Sequence, residues 1–285
     1  MDILPILSSL RRHKVTALLL VLEIALTCAI VSNAVFLISQ RLERMQQPAG
    51  VAANELVQIR AHTLSGDEDA EARARGDVAL LRQIPGVRQV ALVNQIPFGD
   101  SSWNTGIKLD PKQKHATLNA TMYMGENLIP TFGLKLVAGR DFTPSEYSDF
   151  DDLLASSNFP PVVIMTRTMA NRLWPGEQAL GKSIYENDKP VRVVGLVESL
   201  VRPSDRGAEA AQWSMILPVR MSRGSFMLRT APAQRAEVGQ LAVAALKKAN
   251  PRRIIQEQRT WEQVRAEYFQ GDRAMTGLLV GVIIA

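Results

Sequence analysis

The sequence predicts an α+β fold: one membrane helix, a water-soluble domain of two strand–helix–strand units split by a β-rich insertion, and the start of a second membrane helix. Three observations carry this. Val15 to Ile38 holds a single charged residue, Glu23, and Met275 to Ala285 holds none. A strand–helix–strand pattern stands at both ends of the chain between them. The middle of that chain is a series of short β-type runs broken by turns.

Residues 1–14 read as a cytoplasmic amphipathic segment. Ile3, Leu4, Leu7 and Leu10 share one helical face suited to a membrane surface. Arg11, Arg12, His13 and Lys14 then form a basic flank, which places the amino terminus in the cytoplasm. Arg41 and Arg44 beyond the span keep that bias small. The span 15–38 makes a helix of roughly 36 Å, enough for a hydrocarbon core of about 30 Å. It is too long for the apolar region of a signal peptide, and no A-x-A-like cleavage site follows. A charged Glu23 in mid-span costs at least about 2.5 kcal/mol, so the span is expected to pack against other helices. Thr16, Thr27, Ser32 and Asn33 suit such packing. At the other end, 273–285 reads as the start of a second span, since a full one needs about 20 residues. The expectation is therefore the front part of a longer membrane protein.

Residues 39–272 form the outer domain. Its α/β part is expected at 55–124 and 224–258, its β-rich insertion at 125–223. Leu56 to Ile59 reads as strand, the alanine-rich Asp67 to Arg82 as helix, and Val87 to Val93 as strand after the Pro85-Gly86 stop. The second unit is Phe226 to Arg229, a helix carrying Val238, Leu241, Ala242, Ala245 and Leu246, then Arg253 to Gln256 after Asn250-Pro251. Within the insertion, Val162 to Thr166, Val191 to Val197 and Met215 to Leu217 read as strands and Thr168 to Trp174 as a short helix. Asp149 to Pro161 reads as a mobile surface loop, and Thr260 to Asp272 as a helix leading into the second span.

The composition excludes several functions. The net charge is +5, but the basic residues are scattered among acidic ones rather than striped with aromatics, which argues against nucleic-acid binding. The one cysteine, Cys28, lies in the span, so no disulfide forms in the outer domain. Gly176 to Ser183 matches the phosphate-loop pattern G-x-x-x-x-G-K-[ST], yet a helix precedes it and a strand follows, the reverse of what phosphate binding requires. His62 and His115 have no local carboxylate or cysteine at ligand spacing, and Asp149, Asp151 and Asp152 fit no calcium loop. No G-x-S-x-G elbow occurs. Asn119-Ala120-Thr121 is too short a glycosylation pattern to weigh. No catalytic, cofactor-binding or metal residue is assigned.

A series of blocks resembles the permease subunits of MacB/FtsX-type ABC transporters. Phe132-Gly133-Leu134 with Gly139-Arg140-Asp141-Phe142 is similar to one signature of that family. Ala170-Asn171-Arg172-Leu173-Trp174-Pro175-Gly176, Ala179-Leu180-Gly181-Lys182, Val191 to Val197, Leu217-Pro218 and Leu228-Arg229-Thr230 follow in the expected order. The resemblance makes the phosphate-loop match an accident of adjacent blocks. It assigns Gly139, Arg140, Asp141 and Gly181 to domain architecture. It implies a MacB-like periplasmic core domain with a porter-like α/β part and a sabre-like insertion, in the bacterial inner membrane. It also implies a non-catalytic permease that dimerises with itself or a homologue, binds a cytoplasmic ABC ATPase, and works by export or mechanotransmission with a possible periplasmic adaptor. A membrane-tethered binding or assembly module without energy coupling is the alternative. An anchored enzyme is a third reading, and a cleft setting His62 or His115 among carboxylates would be its mark.

Overall fold

The computed structural model of the protein describes residues 14–63, 69–156, 159–186, 189–204 and 210–284. The amphipathic segment expected at 1–14 lies outside them except for Lys14. The chain divides into two compact units, residues 1–47 with 269–285 and residues 48–268.

The first unit is a pair of helices, α1 (Lys14–Gln46) and a carboxy-terminal helix over Gln270–Ile284. Helix α1 is long and apolar enough to cross a membrane. It runs past the expected end at Ile38 because Arg41, Leu42, Glu43, Arg44 and Met45 are good helix formers, and Pro48 stands just beyond its end. The two helices touch along one face. Val31, Ala34, Leu37, Ile38 and Arg41 of α1 lose exposure, as do Asp272, Thr276, Leu279 and Ile283 at helical spacing on the other. Asp272 is buried there, accepting from Arg41 Nη1 at 2.5 Å with Arg44 Nη1 at 3.5 Å.

The second unit holds two sheets. The smaller contains β1 (Leu56–Thr63) and β2 (Val87–Val93), joined by α2 (Ala70–Arg82). Asp69 caps α2 by accepting from Ala72 N at 2.7 Å. The larger sheet takes β3 (Asn104–Ile107), β4 (Leu118–Met124), β5 (Leu136–Gly139), β7 (Val162–Thr166), β8 (Ser183–Glu186), β9 (Lys189–Val197) and β10 (Ser214–Leu217). Helix α3 (Leu128–Phe132) precedes β5, and α5 (Arg167–Leu173) follows β7 with Thr166 as its cap. A two-stranded ribbon pairs β6 (Ser148–Asp149) with β11 (Val219–Arg220), and α4 (Phe150–Ser156) follows β6. The chain then returns to the smaller sheet through β12 (Ser225–Thr230), α6 (Arg235–Ala249) and β13 (Arg253–Thr260), and ends in α7 (Trp261–Tyr268) and α8, the Gln270–Ile284 helix.

The smaller sheet has the order β13-β1-β12-β2, antiparallel throughout. The two expected strand–helix–strand units are thus interlocked: each inserts a strand between the two strands of the other. Alternate residues Val57 and Ile59, Val90 and Leu92, and Phe226 and Leu228 face Leu81 of α2 and Val238, Ala242 and Leu246 of α6 in one core.

The register has a consequence for how the chain is threaded. Val57 pairs with Thr260, so the strands that enter the unit from α1 and leave it toward α8 lie side by side. Ser225 pairs with Val93, so the two ends of the inserted region also lie side by side, at the other ends of β2 and β12.

Three expectations are corrected. Strands β3 and β4 belong to the larger sheet, where Thr121 pairs in parallel with Ser214, although 104–124 was assigned to the α/β part. Short strands with mixed patterning carry no mark of which sheet they join. The loop expected at Asp149–Pro161 contains β6 and α4 instead, because Phe150 is 2% exposed and anchors the segment. The helix expected over Thr260–Asp272 is two helices, α7 and α8.

Candidate functional site

The residues singled out in the sequence do not converge. The phosphate-loop match runs from the end of α5 into β8, helix before and strand after. Lys182 pairs there with Glu177 and lies 5.4 Å from the Trp174 ring centroid, so its charge is used within the turn.

Gly139 has φ +75, and a Cβ on it would sit 2.2 Å from Val194 O, so the tight turn demands glycine. Arg140 grips Glu146 through two hydrogen bonds, at 2.8 and 2.6 Å. Asp141 accepts from Phe142 N at 2.7 Å. The Arg140 hydrogen bond holds the Glu146 carboxyl down at about 2, assisted by Thr143 in a capping box. Burial pushes the Asp141 carboxyl up, a cost partly offset by the Phe142 N–H. These groups build a turn.

The acidic group is likewise neutralised locally. Asp149 lies 3.7 Å from Arg220, and Asp151 accepts from Arg223 at 3.2 Å and Ser222 at 3.3 Å. No group of metal-ligating side chains assembles among the described residues. Thr121 of the glycosylation pattern is fully buried in β4, donating to Asn104 at 2.7 Å. His115 is exposed between β3 and β4.

His62, at the end of β1, does reach a cleft. It lines two neighbouring cavities of about 400 and 520 Å³ that share His62, Arg223 and Gly224. Asp77 and Asp100 are on their walls. Asp77, however, is held by both terminal nitrogens of Arg253 at 2.9 and 2.7 Å, a buried pair. The cleft thus sets His62 among two carboxylates, the arrangement named for an anchored enzyme, but His62 makes no hydrogen bond to either among the described residues.

One arrangement has no motif in the sequence. Helix α7, which leads covalently into α8, is fastened to the loop after β2 by an aromatic cluster. Phe98 stands 5.7 Å from Trp261 and 5.0 Å from Tyr268, with the Arg265 guanidinium 5.9 Å from the Phe98 ring and 5.7 Å from Trp261. Phe98 adopts φ 61, a left-handed conformation costing about 1–3 kcal/mol for a bulky residue, which the packing sustains. Only the pairing of aromatics on a short segment before an apolar helix hints at this in the sequence.

A large α+β head whose chain continues at each end into an apolar helix defines a membrane-anchored protein. The chain belongs to the family of the MacB-like periplasmic core domain, whose profile matches residues 15–259. It is thus a MacB-like transporter component. Among solved structures it is similar to the extracellular domain of the noncanonic ABC-type transporter YknZ from Gram-positive bacteria, at 17% identity, over 70% of this chain and 100% of that one, with a TM-score of 0.43. It is also similar to the periplasmic region of MacB from Actinobacillus actinomycetemcomitans, at 16% identity, over 79% of this chain and 97% of that one, with a TM-score of 0.44. No curated protein matches it.

Proposed function

We propose that the chain is a permease subunit of a MacB/FtsX-type ABC transporter, without catalysis of its own. It couples a separate cytoplasmic ATPase to movement of its outer domain, for export or mechanotransmission. Its place is the bacterial inner membrane, with the amino terminus and the 1–14 segment cytoplasmic, α1 crossing at 15–38, and the 39–272 domain in the periplasm. It works there as a permease dimer, alone or with a periplasmic adaptor.

The observation that carries this reading is the register of the smaller sheet. The two ends of the head that lead to α1 and α8 emerge from paired strands, Val57 beside Thr260. The inserted region hangs from the opposite ends of β2 and β12, Val93 beside Ser225. Three residues of strand separate the two rows, Val57 to Arg60 (the partner of Ser225), about 10 Å. A displacement delivered by the helix ends therefore reaches the inserted region through one hydrogen-bonded sheet. Fastening of α7 to Phe98 gives that displacement a second purchase.

The test is co-purification with a candidate cytoplasmic ATPase and measurement of ATP hydrolysis. The expected result is a stable complex whose hydrolysis rate changes when Trp261→Ala loosens α7. Absence of both complex and rate change removes the energy-coupled reading. Topology is checked separately by labelling Lys112 and Lys114 in intact spheroplasts, where modification from the outside is expected.

A further inference from the structure

The cleft at the junction of the two sheets is not used by the coupling scheme, and its lining sets Arg60, His62 and Arg223 against two carboxylates, Asp100 and the Asp77 that Arg253 neutralises. Its two cavities, of about 400 and 520 Å³, fall in the range of small-molecule sites. One wall is aromatic. Trp103 is 38% exposed and meets Phe150 edge to face at 5.9 Å. Its backbone is fixed: Trp103 N donates to the buried Gln95 at 2.7 Å, Gln95 Nε2 donates to Met122 O at 2.8 Å, and Met122 N donates to Trp103 O at 2.8 Å. The platform is therefore held in place before any ligand arrives.

The facing groups are cationic and only partly engaged. Arg223 is 67% exposed, lies over the Phe150 ring at 5.7 Å, and spends one donor on Asp151 at 3.2 Å. A guanidinium has five N–H donors, so donors remain for a ligand. Arg60 holds Glu257 at 3.3 Å and approaches Asp100 no closer than 3.9 Å. His62 makes no side-chain hydrogen bond among the described residues. Arg253 and Asp77 neutralise each other and belong to the fold. The backbone turn between the two cavities requires glycine: Gly224 has φ +144, and a Cβ there would lie 2.1 Å from Val93 O.

We propose that this cleft binds an amphipathic anion, a carboxylate, sulfonate or phosphate on a flat apolar body. The body lies against Trp103, with Phe150 packed edge to face behind it, and the acidic head is taken by Arg223 and His62, with Arg60 supplying further positive charge. A flat ring on a fixed indole and a charge-assisted contact to guanidinium are each made without reorganising the site. This goes beyond the permease reading and does not depend on it, because binding is measured without an ATPase.

The experiment uses the full chain in phosphatidylcholine nanodiscs with naphthalene-1-sulfonate as probe, followed by calorimetry and saturation-transfer NMR against empty nanodiscs. Saturable binding is expected, and naphthalene-1-methanol and 1-naphthylmethylammonium should bind about tenfold or more weakly, a difference of about 1.4 kcal/mol. Arg223→Gln, at an exposed position where folding is not at stake, and Trp103→Leu should each weaken the sulfonate about tenfold, while Arg172→Gln, on the exposed face of α5, leaves it unchanged. Equal binding of sulfonate and ammonium, parent-like affinity in both cleft variants, or no saturable binding at all overturns the proposal.

Discussion

The two sheets of the head differ in how they are held. In the smaller one every neighbouring pair joins a strand of the first unit to a strand of the second, so neither unit closes alone. Its deepest ionic contact, Arg253 with Asp77, ties β13 to α2 across 176 positions of sequence. The larger sheet is centred on β7, buried on both faces and paired in parallel to β9 and antiparallel to β10. Its central strand β7 is held by apolar burial. One sheet is thus an interlocked frame, and the other is a body inserted into it.

The sharpest way to break this comparison is Asp77→Ala. It leaves the Arg253 charge buried and uncompensated, which costs about 3–5 kcal/mol. Hydrogen exchange should rise first in β1, β12 and β13, with β7 and β9 protected to higher denaturant. Equal loss in both sheets would show that they unfold as one and that the distinction is only geometric. Ile164→Ala, on fully buried β7, removes apolar contacts and is expected to cost about 2–5 kcal/mol with the opposite pattern, exchange rising in β7, β9 and β10. Gly139→Ala should cost about 1–3 kcal/mol, localised to β5 and β9, since its strain combines positive φ with the Val194 carbonyl.

Legibility in the sequence divided along the same line. The framing strands were readable because both are bounded by strong punctuation, Pro85-Gly86 and Asn250-Pro251, and their helices show clear apolar spacing. Strands β2 and β7 fall where the patterns put them. Strands β3 and β4 were misplaced because pairing partners 90 residues away, such as Ser214 for Thr121, leave no local trace. Phe150 was lost among aspartates that suggested a loop, although one buried ring suffices to fold the segment down. The cleft was illegible for a related reason. His62, Trp103, Phe150 and Arg223 come from four separate segments, and none has a partner at motif spacing. The Phe98 cluster likewise depends on a backbone conformation that propensity argues against.

The smallest effect tests the turn that the family resemblance singled out. Glu146 ionises at about 2 when folded, against an ordinary 4.5, because Arg140 and Thr143 favour its charged form. A depressed folded value means stability that is complete above about 4.5 and lost as pH falls toward 2, since protons then bind the unfolded chain first. Glu146→Gln should therefore flatten the acid limb of a stability–pH curve between those values and lower stability slightly at neutral pH. Arg140 is 46% exposed, so solvent screening keeps the contribution of the pair small. Arg140→Gln should give the same flattening, because the two groups share one interaction. If Glu146→Gln leaves the acid limb as steep as the parent's, the larger sheet draws its acid sensitivity from other carboxylates.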